Sequence, residues 1–200
     1  FAATCRGAHV AVRRWFPSGT RTRFASVATS IDKIKWALAT GCPRGESLGY
    51  AITSVASTEV FRWAVRRTDV WGGSPELHRL YESAAEGGNL EVLKWMASHQ
   101  SAGIRPEAVW FDTSFDNWES FKGGQVAGCA AKGGHVHVLE WLRADDRYDW
   151  SMDIHCLLSA AGHGQVHALS WLIEHGVKTA NCCNTLCYAA ARMGHLNVMI

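Results

Sequence analysis

The sequence lacks most of the features that mark secreted, membrane and nucleic-acid-binding proteins. No apolar run approaches the roughly 20 residues that a transmembrane helix needs, and the first residues show no signal-peptide pattern. The charges are nearly balanced, with 20 Lys and Arg against 18 Asp and Glu and a net charge of +2 at pH 7. Because nucleic-acid-binding and membrane-surface proteins are usually strongly basic, this balance predicts neither a nucleic-acid nor a membrane partner.

Motifs for common cofactors are also missing. The chain has no Walker A, GxGxxG or HExxH pattern and no paired Cys-x-x-Cys motif, so we expect no cofactor and no metal. Its cysteines are seven, an odd number, and Cys5 and Cys42 occupy small-residue or loop positions. They are interpreted as reduced side chains in an intracellular, cytoplasmic protein rather than as a disulfide framework.

Three polar clusters have a simple structural interpretation beside a functional one. Near the C-terminal end, Cys and His side chains could hold zinc, although small buried residues are the simpler interpretation. A lone histidine outside the repeated positions could bind a metal. A basic stretch could form a patch, although a solvated helix face is simpler. The possible zinc ligands near the C-terminal end are Cys182, Cys183, Cys187 and His195. The histidines outside the repeated positions are His155, His163 and His167, and the basic stretch contains Arg62, Arg66 and Arg67.

What the chain does contain is one segment repeated with a period of 30 residues. Residues 130–141 recur at 160–171 and again at 190–200, and 84–95 are a further clear copy. Each copy has an alanine pair, a glycine, a His, Asn or Gln, and then apolar residues at helical spacing. A fixed period of this size predicts stacked helical units. Such units present long surfaces, which favours binding over catalysis.

Within each unit the residue types predict two helices and two turns. The alanine pair lets two helices approach closely, and the glycine ends the first helix in a left-handed conformation. Gly41 and Gly176 are expected to end the second helix in the same way. A tryptophan marks six units, and we expect these rings to lie in the core, with a cost of about 3–5 kcal/mol for removing a fully buried one. They are Trp15, Trp36, Trp63, Trp95, Trp141 and Trp171.

The repeated pattern resembles the ankyrin repeat, T-P-L-H-x-A-A-x-x-G-H-x-x-V-V. The helix-opening proline of that family is missing in every copy, and Trp replaces the first Leu of its Leu-Leu pair. This variant resembles divergent ankyrin arrays of giant viruses, algae and water moulds. The residues that match the family one by one are Thr185, Ala190, Ala191, Gly194, His195 and Val198 in the last unit, and Glu174, Gly176 and Val177 in the loop before it.

The resemblance implies an all-α, ankyrin-like solenoid of stacked helix-turn-helix units with loop or short hairpin connections. We expect a single array over residues 1–200, with about six or seven partly degenerate units, as a monomeric piece of a longer chain. Its implied function is that of a scaffold that binds an unknown protein partner without catalysis. Histidines such as His135, at the turn, are expected to bond neighbouring backbone.

The resemblance also implies where a partner would bind. In this family, the two residues between the alanine pair and the glycine line the concave surface, together with the loop tips. Trp71 is a further loop residue, although both it and Trp150 could equally pack between neighbouring turns. Carried over by position, the concave residues are Glu86, Lys132, His163, Arg192 and Met193, and the loop-tip residues are Tyr148 and Trp150.

An insertion breaks the period at about residues 101–124. It carries five aromatic residues, among them Trp110 and Trp118. Insertions in repeat arrays map to loops on one face, and aromatic side chains dominate binding hot spots. The segment is therefore predicted either to bind a partner or to fold its aromatic rings back onto the array.

Two alternative functions stay open. The array could be the targeting or substrate-recognition arm of a larger enzyme or a ubiquitin-ligase adaptor. More remotely, residues 45–49 fit the G-x-S-x-G pattern of a serine hydrolase with Ser47 as nucleophile, which would need a strand before the serine and a helix after it. A simpler interpretation is that the Ser47 hydroxyl caps a helix.

Overall fold

The computed structural model describes residues 24–42, 44–71, 77–101, 123–144, 154–177, 179 and 182–198. Within these ranges the secondary structure is helical throughout, with no strand. The helices are α1 (Phe24–Val27), α2 (Ile31–Ala39), α3 (Glu46–Val55), α4 (Thr58–Val65), α5 (Thr68–Trp71), α6 (Leu77–Glu86), α7 (Leu90–Ser101), α8 (Gly123–Gly133), α9 (Val136–Arg143), α10 (Ile154–Gly162), α11 (Val166–Glu174), α12 (Cys183–Arg192) and a 3-10 helix (Leu196–Val198). The prediction of an all-α helical repeat fold is confirmed.

The described residues divide into two compact units, one of 24–80 with 91–101 and one of 81–90 with 123–198. In the first unit, α1 packs on α2 and α3, and α3 packs on α4 and α5. In the second unit, α8, α10 and α12 lie side by side, and α9 packs beside α11. The first helices of successive repeats thus form one layer of the second unit, and the second helices form the other.

The turn between the two helices of a repeat is built by the alanine pair and the glycine together. Gly134 has φ 77°, and its N–H donates to the carbonyl of Ala131 at 3.1 Å. The next N–H, of His135, donates to the carbonyl of Ala130 at 2.9 Å. These two bonds satisfy carbonyls that the end of a helix leaves free. The same arrangement recurs at Gly88, Gly164 and Gly194, as predicted.

Second helices end in the same way where a glycine is present. Gly41 and Gly176 both have positive φ, and the residue after each donates back to the helix, Cys42 to Ala37 at 2.8 Å and Val177 to Leu172 at 3.1 Å. The prediction for these two glycines is confirmed. They turn the chain towards the next repeat.

The two repeats that lack the turn glycine use a serine instead. The Ser30 hydroxyl accepts from the N–H of Lys33 at 3.3 Å at the start of α2, and Ser57 accepts from Val60 at 3.4 Å at the start of α4. Each hydroxyl satisfies one of the free N–H groups of the first helical turn. A capped helix start therefore replaces the left-handed helix end of the other repeats.

The core consists of the alanine pairs and the aliphatic residues of the second helices. Close approach of the first helices is confirmed by these alanines, which are fully buried except for Ala191, which is exposed in the last repeat. The prediction that the repeat tryptophans are core residues is wrong. Trp36 is 51% exposed, and Trp63, Trp95, Trp141 and Trp171 are partly buried, while Trp15 lies outside the described residues.

The reason is helical geometry. Each of these tryptophans comes one position before a buried residue, as Trp141 precedes Leu142 and Trp171 precedes Leu172. One residue turns the side chain by roughly 100° around the helix axis. The rings therefore lie at the margin of the buried stripe, where one edge packs and the other meets solvent.

Trp71 is the buried tryptophan of the first unit. It ends α5, is 3% exposed, and its Nε1–H donates to the carbonyl of Ala64 at 2.9 Å. Its ring fills the space that a side chain on Gly49, in α3, would need. Trp71 is therefore a packing residue and not an exposed loop tip.

Candidate functional site

The residues predicted to bind a partner that the structure describes all lie at the ends of first helices. Glu86 ends α6, Lys132 lies one residue before the end of α8, His163 follows α10, and Arg192 ends α12 with Met193 next to it. All five belong to the second unit. Because α8, α10 and α12 lie side by side, the last four residues follow one another along one edge of this layer, which we call the first-helix edge.

Two of these residues are joined by an ion pair. Lys132 Nζ lies 2.8 Å from Glu86 Oε1, and both side chains are partly exposed, at 38% and 48%. A pair with this exposure stabilises a fold by about 0–1 kcal/mol. Its main effect is therefore to orient the two side chains across neighbouring repeats and to offset their charges.

The other three residues give the edge a mixed chemistry. His163 is exposed, and its Nδ1–H donates to the carbonyl of Ser159 at 2.9 Å, which fixes the ring at the end of α10. Arg192 is exposed and makes no ion pair with any residue in the described ranges. Met193 is 55% exposed. A cation, an imidazole and an apolar thioether on one edge suit a polypeptide better than a small charged ligand.

Below this edge, hydrogen bonds between repeats hold the backbone of the site residues. The Nε2–H of His135 donates to the carbonyl of Glu86 at 3.0 Å. In the next repeat, Gln165 takes the same position, and its Nε2 donates to the carbonyl of Lys132 at 3.3 Å. The residue after the turn glycine thus bonds the site residue of the preceding repeat. The prediction that His135 bonds neighbouring backbone is confirmed.

A second set of bonds lies two residues further along, and sequence reasoning missed it. His137 Nε2–H donates to the carbonyl of Gly88 at 3.0 Å, and Asn197 Nδ2 donates to the carbonyl of Gly164 at 3.2 Å. The available signal was a His or Asn at the third position after the turn glycine in several copies. Together the two sets tie each turn to the turn before it.

The electrostatics of His135 follow from this packing. Burial lowers the pKa of His135, the bond to the Glu86 carbonyl acts against this shift, and nearby His137 lowers the pKa further. The neutral ring with a proton on Nε2 is the form that fits the site. His135 is therefore a structural group whose charged form the fold disfavours.

Ser47 does not have the surroundings of a hydrolase nucleophile. It is exposed in the first turn of α3, and the residues described before it are not a strand. The strand that the G-x-S-x-G motif of a serine hydrolase needs before its serine is therefore missing. The capping interpretation is also wrong. Gly45, with φ 136°, occupies the cap position of α3, and the cap makes no side-chain hydrogen bond.

The six cysteines among the described residues are free, and their burial differs from the prediction at two positions. Cys182 is buried as expected, but Cys183 and Cys187 are exposed. They lie on the outer face of α12, since Leu186 and Ala190 take the inner face. Over the described residues, no group of three or more His, Cys, Asp or Glu side chains could hold a metal ion.

Four predicted binding residues lie outside the described residues: Trp110 and Trp118 in the insertion, and Tyr148 and Trp150 further along the chain. Their roles stay predictions. In the part of the chain that the structure covers, no helix combines the length and the apolar character needed to cross a membrane.

The paired helices, the repeating turn and the bonds between turns define a helical repeat protein. Residues 155–200, from α10 to the end of the chain, match the family model for ankyrin repeats (many copies). Residues 155–200 are therefore ankyrin repeats, as the sequence resemblance indicated. No curated protein matches the chain.

Proposed function

We propose that this chain is a protein–protein interaction scaffold that binds a partner along the first-helix edge of its second unit. Ankyrin repeats generally mediate protein–protein interaction and are generally non-catalytic. The observation that carries the proposal is the row of solvent-accessible side chains at the ends of first helices, Lys132, His163 and Arg192, on helices packed side by side. Such a row can contact a partner over several repeats at once.

The bonds between repeats support this role because they fix the surface before a partner arrives. His135 and Gln165 hold the carbonyls of Glu86 and Lys132, so the backbone below the edge is already ordered. A surface that is ordered in advance loses less conformational entropy on binding. The partner then supplies carboxylate and apolar groups to Arg192 and Met193.

We propose that residues 1–200 form a single monomeric array that binds its partner and has no catalytic activity of its own. The loop residues Tyr148 and Trp150 and the insertion residues Trp110 and Trp118 are proposed to extend the contact. The same edge would select a substrate if the array served as the recognition arm of a larger enzyme or a ubiquitin-ligase adaptor.

The experiment that tests this function is site-directed photo-crosslinking in cells that express the whole chain. A benzoylphenylalanine at Met193 is expected to capture a discrete polypeptide, and the same group at Glu174, exposed on α11, is expected not to. The combined change of Lys132, His163 and Arg192 to Ala should reduce the captured amount at least about tenfold, because two charged contacts are lost.

The matched control changes three exposed residues of the second helices, Glu140, Ser170 and Glu174, to Ala. Helix content and the midpoint of thermal unfolding must stay the same for all variants. If the first-helix variant captures as much partner as the control variant, this edge is not the binding surface.

A further inference from the structure

A groove in the first unit combines arginine side chains with an apolar floor. It has a volume of about 390 Å³, and its lining residues come from the start of α2 and from α4 with the residues just after it. It is therefore built from second helices, whereas the proposed function uses the ends of first helices. The lining residues are Ile31, Glu59, Arg62, Trp63, Arg66 and Arg67.

Trp63 is held in place by two cations. The Arg67 guanidinium carbon lies 5.1 Å from the centroid of the Trp63 ring, and Lys35 Nζ lies 5.9 Å from it. Arg67 also makes a two-point contact with Asp69, Nε to Oδ1 at 2.9 Å and Nη2 to Oδ2 at 2.8 Å. This contact holds the pKa of Asp69 below its usual value. The charge of Arg67 is thus compensated within the fold, and its role is to fix the ring.

Two further arginines are available for a ligand. Arg62 and Arg66 are four residues apart, so they share one helix face, and both are exposed. Neither makes an ion pair with another residue of the described ranges. A helix end attracts cations by itself, but that preference does not explain why the arginines border an apolar floor of Trp63 and Ile31.

The charge around the groove is concentrated locally. The groove and its immediate contacts hold the cations of Lys35, Arg62, Arg66 and Arg67 and the carboxylates of Glu59 and Asp69, in a chain whose net charge is +2 over all 200 residues. A basic site on a nearly neutral chain indicates local charge complementarity to an acidic ligand, not general attraction to polyanions.

We propose that this groove binds an acidic peptide segment of a partner protein, with carboxylates on Arg62 and Arg66 and an apolar side chain on Trp63 and Ile31. Guanidinium groups match carboxylates with two parallel hydrogen bonds. The volume is near the lower end of the roughly 300–1,000 Å³ typical of ligand sites, which suits a few side chains. Glu59 within the groove repels any anionic group placed beside it, so a peptide with an apolar residue at that point fits better than a phosphate backbone, which is charged at every unit.

The test measures fluorescence anisotropy of a fluorescein-labelled peptide in which two glutamates flank a phenylalanine on each side. The whole chain is expected to bind it saturably, with affinity that weakens as salt is raised. Replacing the glutamates by glutamines should weaken binding at least about fivefold, since it removes the contacts of the carboxylates with the arginines. Replacing the phenylalanine by alanine should have an effect of the same size, since it removes the apolar contact. Absence of saturable binding up to roughly 1 mM peptide would overturn the proposal.

Variants of the protein locate the binding. Combined Arg62→Ala and Arg66→Ala should weaken binding about tenfold or more, and Lys at both positions should recover part of the affinity because charge remains without the two-point geometry. The control is Arg79→Ala, an exposed arginine outside the groove, 3.8 Å from Glu46. Equal binding by the double alanine variant and the wild type would contradict the assignment. Tighter binding of a labelled thymidine oligonucleotide through the same two arginines would replace the peptide by nucleic acid.

Discussion

The ring of His135 occupies the space that a side chain on Gly88 would need. A Cβ built on Gly88 would lie 2.7 Å from the Cε1 atom of that ring, and Gly88 has φ 71°. The same relationship recurs two repeats further on, between Gly164 and His195. The turn glycine therefore has two separate functions. It ends the first helix in a left-handed conformation, and it leaves space for a side chain of the next repeat.

These two functions can be separated by mutation. Gly88→Ala should lower the free energy of unfolding by about 2–3 kcal/mol, since it strains the backbone and displaces His135 from its hydrogen bond. Gly194→Ala shares the positive φ of 78° but meets nothing within 4 Å, so it should cost only about 1 kcal/mol. Urea unfolding followed by circular dichroism measures both. Equal losses would mean that the contact with His135 contributes nothing.

The burial of His135 predicts a dependence of stability on pH. Its pKa in the folded state lies below the unfolded value of about 6.5, so the unfolded chain binds protons first as the pH falls. The contribution of His135 is thus complete above this value and is lost as the pH falls towards the folded pKa. Unfolding free energies at about pH 7.5 and about pH 5.5 should show this loss.

A substitution within the same repeat pattern supplies the control. Gln165 makes the equivalent bond, so His135→Gln should keep most of the stability at neutral pH while removing the titration. His135→Ala should cost about 1–3 kcal/mol at neutral pH, because the carbonyl of Glu86 loses its donor. The idea is refuted if His135→Gln loses stability between the two pH values as steeply as the wild type does.

The local features of this fold could be predicted from sequence because each depends on a few neighbouring residues. The alanine pair, Gly134 and His135 predict the turn, since a left-handed glycine and two backbone bonds are enough to form it. The bonds of His137 and Asn197 could not be predicted in this way. They depend on the distance between successive turns, which is set by how whole repeats stack.

The candidate site was predicted by position, whereas its internal contacts were not. Glu86 and Lys132 were expected on the surface because of their place between the alanine pair and the glycine. Their ion pair joins residues on helices far apart in the chain, so no local pattern contains it. The groove beside Trp63 could likewise not be predicted from a local pattern, because Ile31 and Lys35 belong to a different helix from Arg62 and Arg66.

Gly49 should be among the least replaceable residues of the first unit. A Cβ there would lie 2.8 Å from the Cη2 atom of the Trp71 ring, with closer contacts to other ring atoms, and Trp71 is buried. Gly49→Ala should therefore cost about 1–3 kcal/mol through overpacking, despite the better helix propensity of alanine. The matched control is Gly128 in α8, whose Cβ would make an ordinary 3.6 Å contact with Ser159 Oγ. Gly128→Ala should be neutral or stabilise by up to about 1 kcal/mol, and a loss as large as that of Gly49→Ala would contradict the steric explanation.

The tryptophan that marks each repeat should contribute less to stability than the smaller residue beside it. Trp171 is partly exposed and stacks on His175, with ring centroids 4.1 Å apart, while Leu172 is fully buried. Leu172→Ala should cost about 2–5 kcal/mol because it leaves a cavity in the core. Trp171→Ala should cost only about 1–2 kcal/mol, since one side of the ring is solvated in the folded chain. Urea unfolding of the two variants gives the order directly, and a larger loss for Trp171→Ala would show that the marginal ring is a principal source of stability.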